Sequence, residues 1–125
     1  VLLPLLQTDL LELLEAVLEG RLGELELRWS SGAAACVVLA APGYPEASVQ
    51  GVPLALPERL PEGVSVLHAG TARTEAGLVA AGGRVLDVVA LGATIPEAIR
   101  RAYALVAEIG FPGAHYRRDI GSRVA

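Results

Sequence analysis

The sequence predicts an α+β domain, a small antiparallel sheet or barrel with one packed helix. Three observations carry that expectation. Apolar side chains make up 53% of the 125 residues, enough for one core. Short apolar runs punctuated by glycine and proline fill the middle of the chain, and two strongly helical patterns lie toward its ends.

The first helix is predicted over residues 8 to 19. Asp9 with Glu12 offers a capping box, Leu10, Leu13, Leu14, Val17 and Leu18 keep helical spacing, and Gly20 supplies the stop. Glu12, Glu15 and Glu19 mark a solvated side rather than a catalytic carboxylate set. After a turn at Gly20 to Gly23, Leu25, Leu27 and Trp29 alternate with Glu26 and Arg28, a pattern short enough to be an irregular edge. Ala33 to Ala40 is continuously apolar, which suits a strand covered on both faces.

Seven glycines and prolines from Pro42 to Pro61 then mark a loop over residues 42 to 63. Val64 to Ala69, Leu78 to Ala81 and Arg84 to Leu91 read as strands, with Gly70 to Gly77 as a hairpin connection. The second helix has the clearest signature: Thr94 with Glu97 forms a capping box, Pro96 lies in the first turn, and Gly110 ends it. Ala98, Ile99, Ala102, Tyr103, Val106 and Ile109 form its buried stripe. The tail, Phe111 to Ala125, is polar and basic and opens with a Pro112-Gly113 turn.

Composition removes several function classes. A net charge of −4, with the ten cations scattered, argues against a general nucleic-acid surface. No apolar run approaches the roughly 18 to 20 residues of a membrane helix, and no secretory leader opens the chain, so a cytoplasmic protein with no membrane partner is expected. The single cysteine, Cys36, sits in an apolar run and reads as a small buried hydrophobe, which leaves neither a disulfide nor a cysteine metal site. All ten cations are arginine, and Lys, Met and Asn are absent, a bias of GC-rich and thermophilic sequences.

Six strings occurring in order carry a resemblance. They are Val37-Val38-Leu39-Ala40-Ala41-Pro42-Gly43-Tyr44-Pro45, His68-Ala69-Gly70-Thr71, Gly82-Gly83-Arg84-Val85-Leu86, Ala90-Leu91-Gly92, Ala102-Tyr103-Ala104-Leu105 and Tyr116-Arg117-Arg118-Asp119-Ile120-Gly121. Together they resemble the carboxy-terminal part of the phosphoribosylamine–glycine ligases, with Leu67 where the family carries phenylalanine before its His-Ala-Gly-Thr. The resemblance implies that residues 1 to 30 end an ATP-grasp domain and that residues 31 to 125 form a small domain similar to the barrel-sandwich domain of biotin carboxylase.

It further implies an ATP-dependent ligase of purine synthesis. Such an enzyme converts glycine to glycyl phosphate and lets the amine of 5-phosphoribosylamine displace phosphate, giving glycinamide ribonucleotide, ADP and phosphate. Glycine and 5-phosphoribosylamine are then the small-molecule partners, and the rest of the same enzyme is the protein partner. ATP and Mg2+, or Mn2+, serve the intact enzyme. The family's metal-holding Glu and Asn and its nucleotide-cradling lysines match nothing in this chain, so no catalytic, nucleotide or metal residue is assigned to it and the fragment alone is expected to be inactive.

The expected contribution is binding of the acceptor. A phosphate favours backbone amides without side-chain obstruction and a planar donor fork, which Gly82, Gly83 and Arg84 at a strand entrance can supply. The bland alternative for Arg84 is a surface arginine before a strand. His68 is a candidate for the same pocket, or a histidine packed at a strand end. Arg117, Arg118 and Asp119 are read as a second anion site with a positioning carboxylate, or as an exposed ion-paired tail. His115 is read as a turn residue.

Two rival functions frame these assignments. A biotinyl or lipoyl carrier needs an attachment lysine, which the chain lacks. A structural or regulatory packing module that touches no substrate would leave Arg84 and the tail arginines facing solvent in the intact protein.

Overall fold

The computed structural model describes residues 1–124. The tail read from the sequence runs one residue further, to Ala125, which lies outside them. Within the described residues two α-helices and five strands follow in chain order: α1 (Leu10–Leu18), β1 (Ala33–Ala40), β2 (Val64–His68), β3 (Thr71–Thr74), β4 (Gly77–Ala80), β5 (Arg84–Gly92) and α2 (Ile95–Glu108). All strand pairing is antiparallel. A three-stranded sheet has the order β1-β5-β2, and β3 and β4 form a separate hairpin. The α+β class with one main packed helix therefore holds.

The core lies between this sheet and α2. Ala35, Val37 and Leu39 of β1 pair with Ala90, Val88 and Leu86 of β5 and present one face to Ala98, Ala102, Leu105 and Val106 of α2, all buried. Burial of these aliphatic side chains supplies the main favourable free energy. The cap forms as the residue types dictate: the Thr94 hydroxyl accepts from the Glu97 amide at 3.4 Å, and the Glu97 carboxylate accepts from the Ala93 amide at 2.8 Å. Leu105 also belongs to the buried stripe, beyond the residues picked by periodicity.

The structure corrects two expectations. β1 is apolar throughout, yet its second face is only partly covered: Ala34 and Cys36 are half-buried and Val38 is 37% exposed. The stretch read as a hairpin connection contains β3, whose polar Thr71-Ala72-Arg73-Thr74 lacks an apolar alternation. Its true turn is the Thr74–Gly77 link, closed by the Thr74 hydroxyl donating to the Gly77 carbonyl at 3.1 Å. In α1 the apolar side is largely unburied: only Leu13 and Ala16 are buried, while Leu14 is 53% and Leu18 87% exposed.

Residues 3 to 30 close on themselves around α1. The Asp9 carboxylate caps the helix, accepting from Leu11 and Glu12 amides at 2.8 and 3.3 Å. Preceding it, buried Thr8 donates to the Glu26 carbonyl at 3.1 Å and accepts from the Arg28 amide at 2.7 Å, and Leu6 bridges to Trp29. The 25–29 segment is thus an irregular edge carrying one bridge. Val1 to Pro4 border a depression with Leu67 and Val89 at the outer face of the three-stranded sheet.

Candidate functional site

A cleft opens where β5 begins. Tyr44, Ala69, Gly70, Gly83, Arg84 and Asp87 line a space of about 630 Å³. A β-bulge forms its rim: Leu39 pairs with Leu86, but Ala40 pairs with Arg84, so Val85 is an extra residue on β5. Bulges re-aim side chains. Here the bulge accompanies an exposed Arg84 that lines the same cleft as Asp87, three residues on.

The floor is backbone because three glycines are packed against other atoms. A Cβ on Gly70 would lie 2.6 Å from the Arg84 carbonyl and 2.8 Å from the Gly82 Cα. A Cβ on Gly83 would run into the Tyr44 ring and come within 3.0 Å of the Ser48 hydroxyl. Gly82 and Gly83 therefore have a packing role as well as the open-backbone role expected of them. The Gly83 carbonyl accepts from the Ala41 amide at 2.8 Å, tying this turn to the loop that carries Tyr44.

His68 is not itself among the cleft-lining residues but directly precedes two of them, Ala69 and Gly70. It is exposed at the end of β2, with Nδ1 3.1 Å from the Thr71 hydroxyl. Arg117 and Asp119 form an exposed bidentate pair at 2.8 and 2.5 Å, beside a second depression of about 290 Å³ lined by Arg117, Asp119, Ile120, Gly121, Ser122 and Arg123. The hydrogen bond from Arg117 holds the Asp119 carboxyl below the usual carboxylate range, and Asp119 in turn raises the Arg117 guanidinium. Arg118 lies 5.4 Å over the Tyr116 ring centroid.

The cluster is fixed to α2 through Tyr103, whose hydroxyl donates to the Arg117 carbonyl at 2.7 Å and accepts from the Ile120 amide at 3.1 Å. The structure thus brings Gly83 and Arg84 together in one cleft, with Gly82 behind its wall, and gathers Arg117 and Asp119 at another. His115, read as a turn residue, joins Ala40 through paired backbone hydrogen bonds of 2.9 and 3.0 Å, and its ring centroid lies 6.3 Å from that of Tyr44.

Sequence reasoning missed Tyr44 and Asp87. Tyr44 had a visible signal, the Gly-Tyr-Pro string before a glycine-rich turn. Asp87 had a fainter one, a lone charge inside an apolar strand. Burial pushes the nearby Cys36 thiol up, and the Asp87 carboxylate adds to the shift. Cys36 itself is half-buried rather than enclosed. Among the described residues no three His, Cys, Asp or Glu side chains converge as a metal site, and no helix is long and apolar enough to cross a membrane.

Residues 34–123 match the sequence family described as "Phosphoribosylglycinamide synthetase, C domain". The chain belongs to this family. Among its relatives, the phosphoribosylamine–glycine ligase of Mesorhizobium japonicum is 48% identical over 122 residues, covering 97% of this chain and 29% of the relative. The ligase of the same name from Caldanaerobacter subterraneus subsp. tengcongensis is 43% identical over 120 residues, or 96% of this chain and 28% of the relative. A crystal structure of the Thermotoga maritima phosphoribosylamine–glycine ligase superposes with a TM-score of 0.69 at 43% identity, over 86% of this chain and 27% of that one. This C domain therefore spans less than a third of the length of the ligases it matches.

Proposed function

We propose that this chain is the carboxy-terminal part of an ATP-dependent phosphoribosylamine–glycine ligase, and that its cleft helps bind the acceptor, 5-phosphoribosylamine. In this reading the intact enzyme forms glycyl phosphate from glycine and ATP with Mg2+ or Mn2+, and glycinamide ribonucleotide follows in the cytoplasm as a step of purine synthesis. ATP and metal are held by the rest of the enzyme, and the 125-residue chain alone has no ligase activity. Residues 1 to 30 belong to the end of the ATP-grasp domain, and residues 31 to 125 form the barrel-sandwich-like domain. The family match beginning at residue 34 and the self-contained hydrogen bonding of residues 3 to 30 support that division.

The observation that carries the acceptor role is the cleft at Arg84. An exposed guanidinium stands beside the bare backbone of Gly70 and Gly83, and this combination suits a phosphate. Gly82 packs behind it. Arg117, Arg118 and Asp119 are a subsidiary site, because the Arg117 fork is already occupied by Asp119, and His68 is a peripheral candidate beside the cleft-lining Ala69 and Gly70.

Steady-state kinetics of the full-length enzyme tests the reading. A charge-assisted hydrogen bond contributes about 1.5 to 3 kcal/mol, so Arg84→Ala is expected to raise the acceptor KM roughly ten- to a hundredfold. Glycine and ATP constants are expected to stay unchanged. Arg84→Lys recovers part of the loss, since lysine keeps the charge but has no bidentate fork. Unchanged acceptor constants in Arg84→Ala would leave the chain as a packing module that touches no substrate.

A further inference from the structure

Asp87 is out of place on its strand. The register puts Ala34, Cys36 and Val38 of β1, Ser65 and Leu67 of β2, and Asp87, Val89 and Leu91 of β5 on the outer face of the sheet, and Asp87 is the one charged residue of that set short of the bulge, beyond which Arg84 pairs with Ala40. It lies on the central strand, directly between Val38 and Leu67. Its neighbours Val38 and Leu67 are themselves 37% and 53% exposed, so the carboxylate is half-exposed and open to a ligand. Val1 to Pro4 line a depression together with Leu67 and Val89, whereas Asp87 opens into the cleft that Arg84 also lines.

Resting on the acceptor-binding reading above, we infer that Asp87 is a specificity-determining residue that accepts hydrogen bonds from the ribose hydroxyls while Arg84 holds the phosphate. An ionised carboxylate only accepts, so it suits a ligand presenting O–H donors and opposes one presenting more negative charge. Three residues of extended strand span about 10 Å. The bulge and the reach of the arginine side chain shorten that separation toward the size of one sugar phosphate. A cleft with one fork and one carboxylate thus selects a phosphate carrying hydroxyls over bare phosphate, whereas an arginine alone would take either. Tyr44, packed on Gly83, walls the phosphate end.

The test uses the full-length ligase, with ribose 5-phosphate and inorganic phosphate as inhibitors competing with the acceptor. Asp87→Asn keeps the side-chain shape, removes the charge and replaces one acceptor oxygen by a donor. It is expected to weaken ribose 5-phosphate about tenfold and raise the acceptor KM by a similar factor, the size of one charge-assisted hydrogen bond. The kcat is expected to stay within about twofold, and inorganic phosphate to bind as well as before or better.

Unchanged inhibition by ribose 5-phosphate, or equal weakening of both inhibitors, would overturn the role of Asp87. Thermal unfolding of the same variant excludes a trivial loss of fold: a lowered Tm with both inhibitors weakened alike counts against the inference. Arg84→Ala separates the two levels. If it moves the acceptor KM and Asp87→Asn does not, Asp87 alone is misassigned; if neither moves it, the acceptor reading of the cleft fails as well.

Discussion

The glycines around Arg84 show how little room single residues leave at this site. Gly83 has no positive φ, so its requirement is steric: any Cβ would displace the Tyr44 ring and press on Ser48. Gly83→Ala is therefore expected to destabilise the chain by about 1 to 3 kcal/mol, the usual cost of overpacking. Urea unfolding checks it, and a change within experimental error would mean that the Tyr44 loop gives way freely. The Arg117–Asp119 pair makes a different kind of prediction. Asp119 has a folded pKa below its unfolded value, so whatever the pair contributes is present above the ordinary carboxylate pKa and fades as pH falls through the depressed one. Both groups are fully exposed, so the effect on stability is expected to be small. An NMR titration of the Asp119 carboxyl should show the low pKa, and Arg117→Ala should return it to the ordinary range; an unmoved titration in the variant would place the cause elsewhere.

At the scale of elements, legibility followed how much each segment depends on its own neighbours. α2 was readable because its cap, its proline and its apolar spacing are all local to the sequence. β1 and β5 were readable as apolar runs, but their second face was not, since a run of Ala, Val and Leu reads the same with or without a cover. β3 was hidden because Thr71, Arg73 and Thr74 are as suited to a turn as to a strand, and pairing with β4 decides between them. The cleft shows the same limit. Gly82, Gly83 and Arg84 stood out as a string, whereas the approach of Tyr44 and Gly70 depends on the bulge at Ala40 and on the crossing of two loops, which no spacing rule encodes. The tail pair was legible in kind, yet the Tyr103 hydroxyl that fixes it is 14 residues from Arg117.

Across the whole molecule, cohesion is uneven. The sheet and α2 share one continuous core from Ala35 to Phe111, in which Leu39, Leu86 and Leu105 are at most 1% exposed. Residues 3 to 30 are held instead by the Thr8 hydrogen bonds, the Leu6–Trp29 bridge and the burial of Leu13 and Ala16, with Leu11, Leu14, Val17 and Leu18 left at the surface. A helix of nine residues is too short to persist on propensity, so α1 depends on whatever covers its apolar side. Local opening free energy tracks buried apolar contact, which makes amide hydrogen exchange the direct measurement. In the 125-residue chain the amides of β5 and α2 should exchange only through global unfolding, and those of α1 should exchange far faster by local opening. In the full-length ligase the α1 amides should slow toward the protection of β5, because the division proposed near residue 30 puts the missing cover in the preceding domain. Equal protection of α1 and β5 in the short chain would mean that residues 1 to 30 belong to the same cooperative unit as the sheet and that the boundary lies elsewhere.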